Sequence, residues 1–195
     1  MPGIGEPEPE PPSVGIFTSG PDESPIPTVL QCRYETLRRP LGFEPGSELL
    51  ADDNLSIHAW VVTAGIVISV GRAHLIVDGE DGGGTDHQGI DAAHCPGFSP
   101  LTLKTENFPS SKEMRPAFHV RQMGTLESHR RCGHARAVLA ALESRTKEVW
   151  AVKSGWLQAR TEAISFYKSC GWTAYSDEYH IEGIGPHRSM WKSFY

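Results

Sequence analysis

Residues 119–142 read HVRQMGTLESHRRCGHARAVLAAL. A strand predicted from about Ala117 runs into the polar turn Glu127–Cys132, and a helix opens at Gly133. Apolar residues then recur at helical spacing: Ala135, Val138, Leu139 and Leu142, with Val149 and Val152 beyond. A helix N-terminus presents unpaired N–H groups and a partial positive charge, and both attract phosphate. Gly133 lets the backbone approach an anion where a side chain would collide, and Ala135 is small for the same reason. Arg130 and Arg131 add guanidinium forks that suit phosphate oxygens. The turn is no Walker loop, since no Gly-Lys-Ser/Thr follows, and it lacks the three-glycine dinucleotide spacing. Taken alone, it also reads as a solvated surface loop.

The flanking sequence supplies context. Thr28 reads as an N-cap, Leu30, Tyr34 and Leu37 follow at helical spacing, and Pro40 stops that helix, with Arg38 and Arg39 in its last turn. Ser56–Thr63 and Ile66–Val77 form a predicted hairpin around Ala64-Gly65. Residues 79–116 are glycine- and proline-rich and aperiodic, and are expected to be a long loop, either a flap over the site or an insertion. Trp156–Arg160 is a short strand, and Thr161 caps a second helix closed by Gly171. Trp172–Ile181 and Arg188–Phe194 are expected as two antiparallel strands. Residues 1–27 are rich in proline, glycine and glutamate and are expected to be a disordered tail, leaving 28–195 as one α/β domain.

Composition narrows the function. A net charge of −6 over 195 residues gives no support for nucleic-acid binding. The basic cluster Arg130, Arg131 and Arg136 is about the right size for a phosphate or two. No apolar run approaches the ~20 residues that span a bilayer, and the acidic N-terminus lacks secretory-signal order. The four cysteines form no Cys-x-x-Cys pair, which favours a reducing compartment, by default the cytoplasm. His87, His94 and Cys95 lack a fourth ligand at a recognisable spacing, so no metal is expected.

RQMGTLESHRRCGHARAVLAALE (121–143) resembles the coenzyme A motif of the GNAT superfamily of N-acetyltransferases, Arg/Gln-x-x-Gly-x-Gly/Ala after a strand. WLQARTEAISFYKSCGW (156–172) is similar to that family's fifth strand and following helix. LRRPLG (37–42) and GIGPHRSMWK (183–192) resemble its ElaA-like branch, so the likeness spans residues 29–78 and 117–194. It implies an α+β fold in which a twisted, mostly antiparallel sheet opens between its fourth and fifth strands. It implies acetyl-CoA as co-substrate and a small-molecule or protein amine as acceptor. By position, the backbone of Met123, Gly124 and Thr125 would bond the pantetheine arm and the acetyl carbonyl. Backbone N–H groups of Arg131, Cys132, Gly133, His134, Ala135 and Arg136, with the Arg130 side chain, would hold the pyrophosphate. Arg160 stands where the family often has Asn, which puts a coenzyme contact there in doubt.

Acetyl transfer needs a neutral amine, a polarised carbonyl and a proton for the leaving thiolate. Tyr167 matches the family tyrosine near the sulfur and is the expected general acid, although its spacing alone also suits a core aromatic. His119 is expected to share a strand face with Met123 and to act as base; His187, in the final turn, is a second candidate. Glu35 and His58 belong to elements that line the acceptor side in such folds. A coenzyme-binding sensor without turnover and an acyltransferase using longer chains are the competing readings. The sequence leaves the oligomeric state open, a homodimer included.

Overall fold

The computed structural model describes residues 14–89, 92–98 and 114–194. Its main sheet begins inside the segment expected to be disordered. Val14–Thr18 (β1) pairs antiparallel with Ile57–Thr63 (β2), from Val14 opposite Thr63 to Thr18 opposite Ala59. Phe17 stacks on Trp60 with ring centroids 5.9 Å apart. The predicted tail therefore ends too late: a five-residue VGIFT strand between proline-rich flanks is stabilised by pairing with a sheet edge that local composition cannot reveal. Residues 1–13 lie outside the described residues.

The first helix starts one residue earlier than its predicted cap. Ile26 is the N-cap and Pro27 takes the first helical position, where a missing N–H costs nothing. Pro27–Arg33 (α1) is α-helical, Tyr34–Arg38 continues as a π-turn, and Arg39–Leu41 tightens to 3₁₀. The predicted hairpin is present: β2 turns through Ala64-Gly65 into Ile66–Ile76 (β3). Within the long loop, Gly84–Thr85 (β4) and His94–Cys95 (β5) form a two-stranded ribbon, and Asp86, His87 and Phe98 are buried. The intervening residues 90–91 and 99–113 lie outside the described residues.

Ala117–Thr125 (β6) pairs antiparallel with β3, and after a 3₁₀ turn at Glu127–His129 the chain enters His134–Trp150 (α2). Ser154–Arg160 (β7), Ile164–Ser169 (α3), Thr173–Ala174 (β8), Tyr179–Ile181 (β9) and Gly185–Ser193 (β10) follow. The region predicted as one strand over 172–181 is thus two short strands, both antiparallel to β10. The sheet order is β1-β2-β3-β6-β7-β10-β8, with β9 also on β10. Among the described strands, only β6 and β7 pair in parallel. Among the described residues, no helix is long and apolar enough to cross a membrane.

The two faces of the sheet differ in chemistry. On one, Val138, Leu139 and Leu142 of α2 pack with Ile57, Ala59, Ala73, Phe118 and Val120 in the main core. On the other, Val29 and Cys32 of α1 meet Val67 and Val70. Further along that second face lie buried charges. Arg33 holds both oxygens of Asp53 at 3.0 and 2.9 Å, and His58 sits between them, Nδ1 3.2 Å from Arg33 and Nε2 2.8 Å from the Asp53 carbonyl.

Candidate active site

The sheet opens where β6 and β7 separate. Their parallel pairing covers three pairs, Ala117 with Ser154, Phe118 with Gly155 and His119 with Trp156, and then stops. Beyond it lies a cleft of about 730 Å³. Its walls are Val120–Thr125 of β6, Gln158–Arg160 of β7, the π-turn residues Thr36–Arg38, the Arg130–Arg131 turn with Ala135, and Tyr167 of α3.

A β-bulge shapes the β6 wall. Three steps on β6, Arg121 to Gly124, face two steps on β3, Arg72 to Val70, and Gln122 takes a positive φ of 55°. One extra residue reverses the alternation of side chains. Leu126 N–H bonds Ile68 back across β3, and Ser69 Oγ donates to the Gly124 carbonyl. Alternation then turns the backbone groups of Met123 and Thr125 toward the opened side, where β7 no longer takes them up. Gly124 lies against α1's continuation. A Cβ there would come within 2.8 Å of Thr36 Cβ and 3.2 Å of Leu37 Cγ, so only glycine permits this approach.

The bulge also overturns the expectation for His119. Met123 packs toward α2 with Val120, whereas His119 lies on the other face, fully buried against His74 and Phe98. Its Nε2 lies 2.7 Å from Gln158 Oε1 and its Nδ1 3.1 Å from the Gly82 carbonyl. Burial, then the neighbouring His74 and Arg121, push its pKa well below the usual range. A neutral ring donates only one of those two bonds. His119 does not line the cleft and is not placed to take a proton from a substrate there.

The Arg130–Ala135 turn opens α2 at Gly133, as its sequence predicts. Arg131 and Gly133 both have positive φ, 62° and 85°. Gly133 is the N-cap of α2, and no side chain bonds the helix's first N–H groups. The first intrahelical bond runs from Ala137 N–H to the Gly133 carbonyl at 3.0 Å. The N–H groups of His134, Ala135 and Arg136 thus precede the ladder and are left for an outside acceptor. Arg130, Arg131 and Cys132 are exposed, and Arg130 Nε bonds the Thr125 carbonyl at 3.3 Å. The Arg136 side chain is used differently from a phosphate fork: it donates to the Ser169 carbonyl and Oγ, at 3.0 and 2.8 Å, and ties α2 to the end of α3.

Tyr167 is largely buried and lines the cleft, and its hydroxyl makes no hydrogen bond among the described residues. Burial raises its pKa far above the usual phenol range, which keeps the proton on the oxygen. Arg160 and His187 are cross-strand partners, and both reach the cleft. His187 Nδ1 lies 2.8 Å from the Gly185 carbonyl; that bond fixes the Nδ1–H tautomer and leaves Nε2 as an acceptor. Burial is the main cause that lowers its pKa, so the ring is neutral at pH 7.

Other sequence candidates lie elsewhere. Glu35 bonds Gln31 and Arg39 outside the cleft, and His58 is fully enclosed between Arg33 and Asp53. His87 and Cys95 are buried and His94 is exposed. Two cleft residues were not expected from sequence. Arg38, read as a helix-end cation, is 3% exposed, and Arg121, inside a central strand, is 8% exposed. An arginine between Val120 and Gln122 in an otherwise strand-like run was the signal available for the second.

No family model and no curated protein sequence matches this chain. Solved structures do. Arabidopsis thaliana NAA60, in complex with a bisubstrate analogue, is 13% identical with a TM-score of 0.61, covering 93% of this chain and 100% of that one. Escherichia coli ElaA is 14% identical with a TM-score of 0.58, at 93% and 100% coverage. FeeM, an N-acyl amino acid synthase from uncultured soil microbes, is 10% identical with a TM-score of 0.55, at 93% and 91% coverage. At these identities the likeness is one of fold: the chain has the GNAT fold, shared with N-acetyltransferases over nearly its whole length.

Proposed function

We propose that this chain is an acyl-CoA-dependent N-acyltransferase that moves an acetyl group to a primary amine. The observation that carries this reading is the abrupt end of β6–β7 pairing. It leaves a bare strand edge and an uncapped helix N-terminus on one cleft. The backbone groups that Met123 and Thr125 turn toward the opening would bond the pantetheine arm, as an added strand would, whereas Gly124, expected from sequence to share that role, turns its backbone to β3. The N–H groups from Arg131 to Arg136, with the Arg130 guanidinium, would take the pyrophosphate. NAA60 also has a structure with acetyl-CoA, which favours the same donor on this fold.

The chemistry follows from the groups around the opening. The amine nitrogen attacks the thioester carbonyl, whose oxygen gains charge and is stabilised by backbone N–H donors on the β6 edge. The new C–N bond forms as the C–S bond breaks. The departing thiolate takes the Tyr167 proton, and the amine proton leaves toward His187 Nε2. His187 thus takes the role the sequence pointed to in His119.

The test is thiol release from acetyl-CoA across an amine panel, comparing the wild type with Tyr167→Phe. The expected result is acceptor-dependent release that the substitution slows roughly 10²-fold or more at nearly unchanged coenzyme affinity. Tight coenzyme binding with no transfer to any amine would refute the reading and leave a sensor.

A further inference from the structure

The cleft wall formed by α1's continuation and β6 carries an uncompensated positive charge. Arg38 and Arg121 both line it and both are more than nine-tenths buried. Asp86 is the nearby carboxylate, and it pairs with Arg38 at 3.6 Å. Among the described residues, Arg121 has no carboxylate within ion-pair distance. Its hydrogen bonds go to the Thr85 carbonyl and Cys95 Sγ. The trio Arg38, Arg121 and Asp86 therefore carries a net +1 inside the protein. Arg38 Nε is buried with no hydrogen-bond partner, although its terminal nitrogen reaches Gln122 Oε1 at 3.1 Å and the Asp86 carbonyl.

A buried guanidinium without a counter-charge is costly unless something neutralises it. The other charged groups facing the cleft do not serve. Arg130, Arg131 and Arg160 are further cations, His187 is neutral, and Glu162 sits on the opposite wall near Arg160 and His187. Arg72, the next cation behind Arg121, is already paired with Asp52 and Asp53. The chemistry missing from this wall is an anion small enough to enter beside β6. Guanidinium forks match a carboxylate in shape as well as charge.

We propose that the amine acceptor is a small amino acid whose free carboxylate docks on Arg121, with Arg38 beside it, while its amine faces the thioester. This rests on the acyltransferase reading above and adds the acceptor class to it. The wall opposite Tyr167 would then act as a selector: an acid completes the buried charge, whereas the matching amide or decarboxylated amine leaves it unpaired.

The experiment measures acetyl transfer to matched triplets, each an amino acid, its carboxamide and its decarboxylated amine, with the purified wild-type chain. The acid should be favoured roughly 30-fold in kcat/KM over either analogue, the scale of a charge-assisted contact. Arg121→Gln should bring the acid down to the amide's level, mainly through KM, and Arg121→Lys should restore part of the preference. If the wild type acetylates amides and plain amines as fast as acids, the carboxylate site is refuted and the acyltransferase reading stands. If no amine of any kind is acetylated, both fall. The wild-type triplet ratio decides the matter even if the Arg121 variants do not fold.

Discussion

Acidification should destabilise this protein well above the carboxylate range, because it buries neutral histidines beside arginines. His58 is the sharpest case. Arg33 donates to its Nδ1 at 3.2 Å, so Nε2 carries the hydrogen and bonds the Asp53 carbonyl at 2.8 Å. Adding a proton at Nδ1 would set two cations against each other in a site with no solvent access. Burial first, and Arg33 among the charges, bring the pKa from 6.5 down to about 4. For His74, burial followed by Arg72 and Arg121 brings it to about 3. A histidine with a depressed folded-state pKa binds its proton in the unfolded chain first. Its contribution is complete above pH 6.5 and is lost as the pH falls from there toward the folded value. Between pH 7.5 and 5.5 each such histidine removes about 1.4 kcal/mol, so the pair removes ~3 kcal/mol, a large part of a typical stability of roughly 5–15 kcal/mol. Urea unfolding followed by tryptophan fluorescence at pH 7.5, 6.5 and 5.5 measures this. His58→Asn keeps an acceptor for Arg33 without a titrating ring and should reduce the loss by about 1.4 kcal/mol. A urea midpoint that stays flat over this range, or an unchanged loss in His58→Asn, would refute the reasoning.

Three further outcomes follow from the site. Gly124→Ala forces β6 and the Thr36–Leu37 turn apart and should cost about 1–3 kcal/mol, read as a lowered Tm. At Gly133 an added Cβ meets no atom within 4 Å, but Gly133→Val must hold φ near 85°, a cost of ~1–2 kcal/mol; calorimetry should show coenzyme affinity falling more than stability does. His187→Gln should slow acetyl transfer at saturating substrate roughly 10-fold or more while leaving coenzyme binding intact, and an unchanged kcat would remove His187 from the mechanism.

Much of the fold was legible because its signals are local. The Ala64-Gly65 hairpin, the Gly133 start of α2 and the closure of α3 near Gly171 each depend on a few adjacent residues with restricted backbone choices. The five-residue β1 was hidden because its stabilisation comes from β2, far along the chain. His119 was misplaced for a related reason. Period-two counting assumes an unbroken strand, and nothing in VRQMG announces that Gln122 will take the extra residue of a bulge.

By itself, the sequence determined the half of this protein proposed to face the coenzyme: a glycine-started helix beside arginines, with Tyr167 in register downstream. A helix N-terminus binds anions through its own backbone, and a contiguous segment is enough to encode that. Only the tertiary structure decided the half proposed to take the acceptor. Arg38 and Arg121 are 83 positions apart, and each looked like an ordinary cation until α1's continuation and β6 met at the cleft. Burial and the lack of a second carboxylate give that wall its charge, and both are properties of packing.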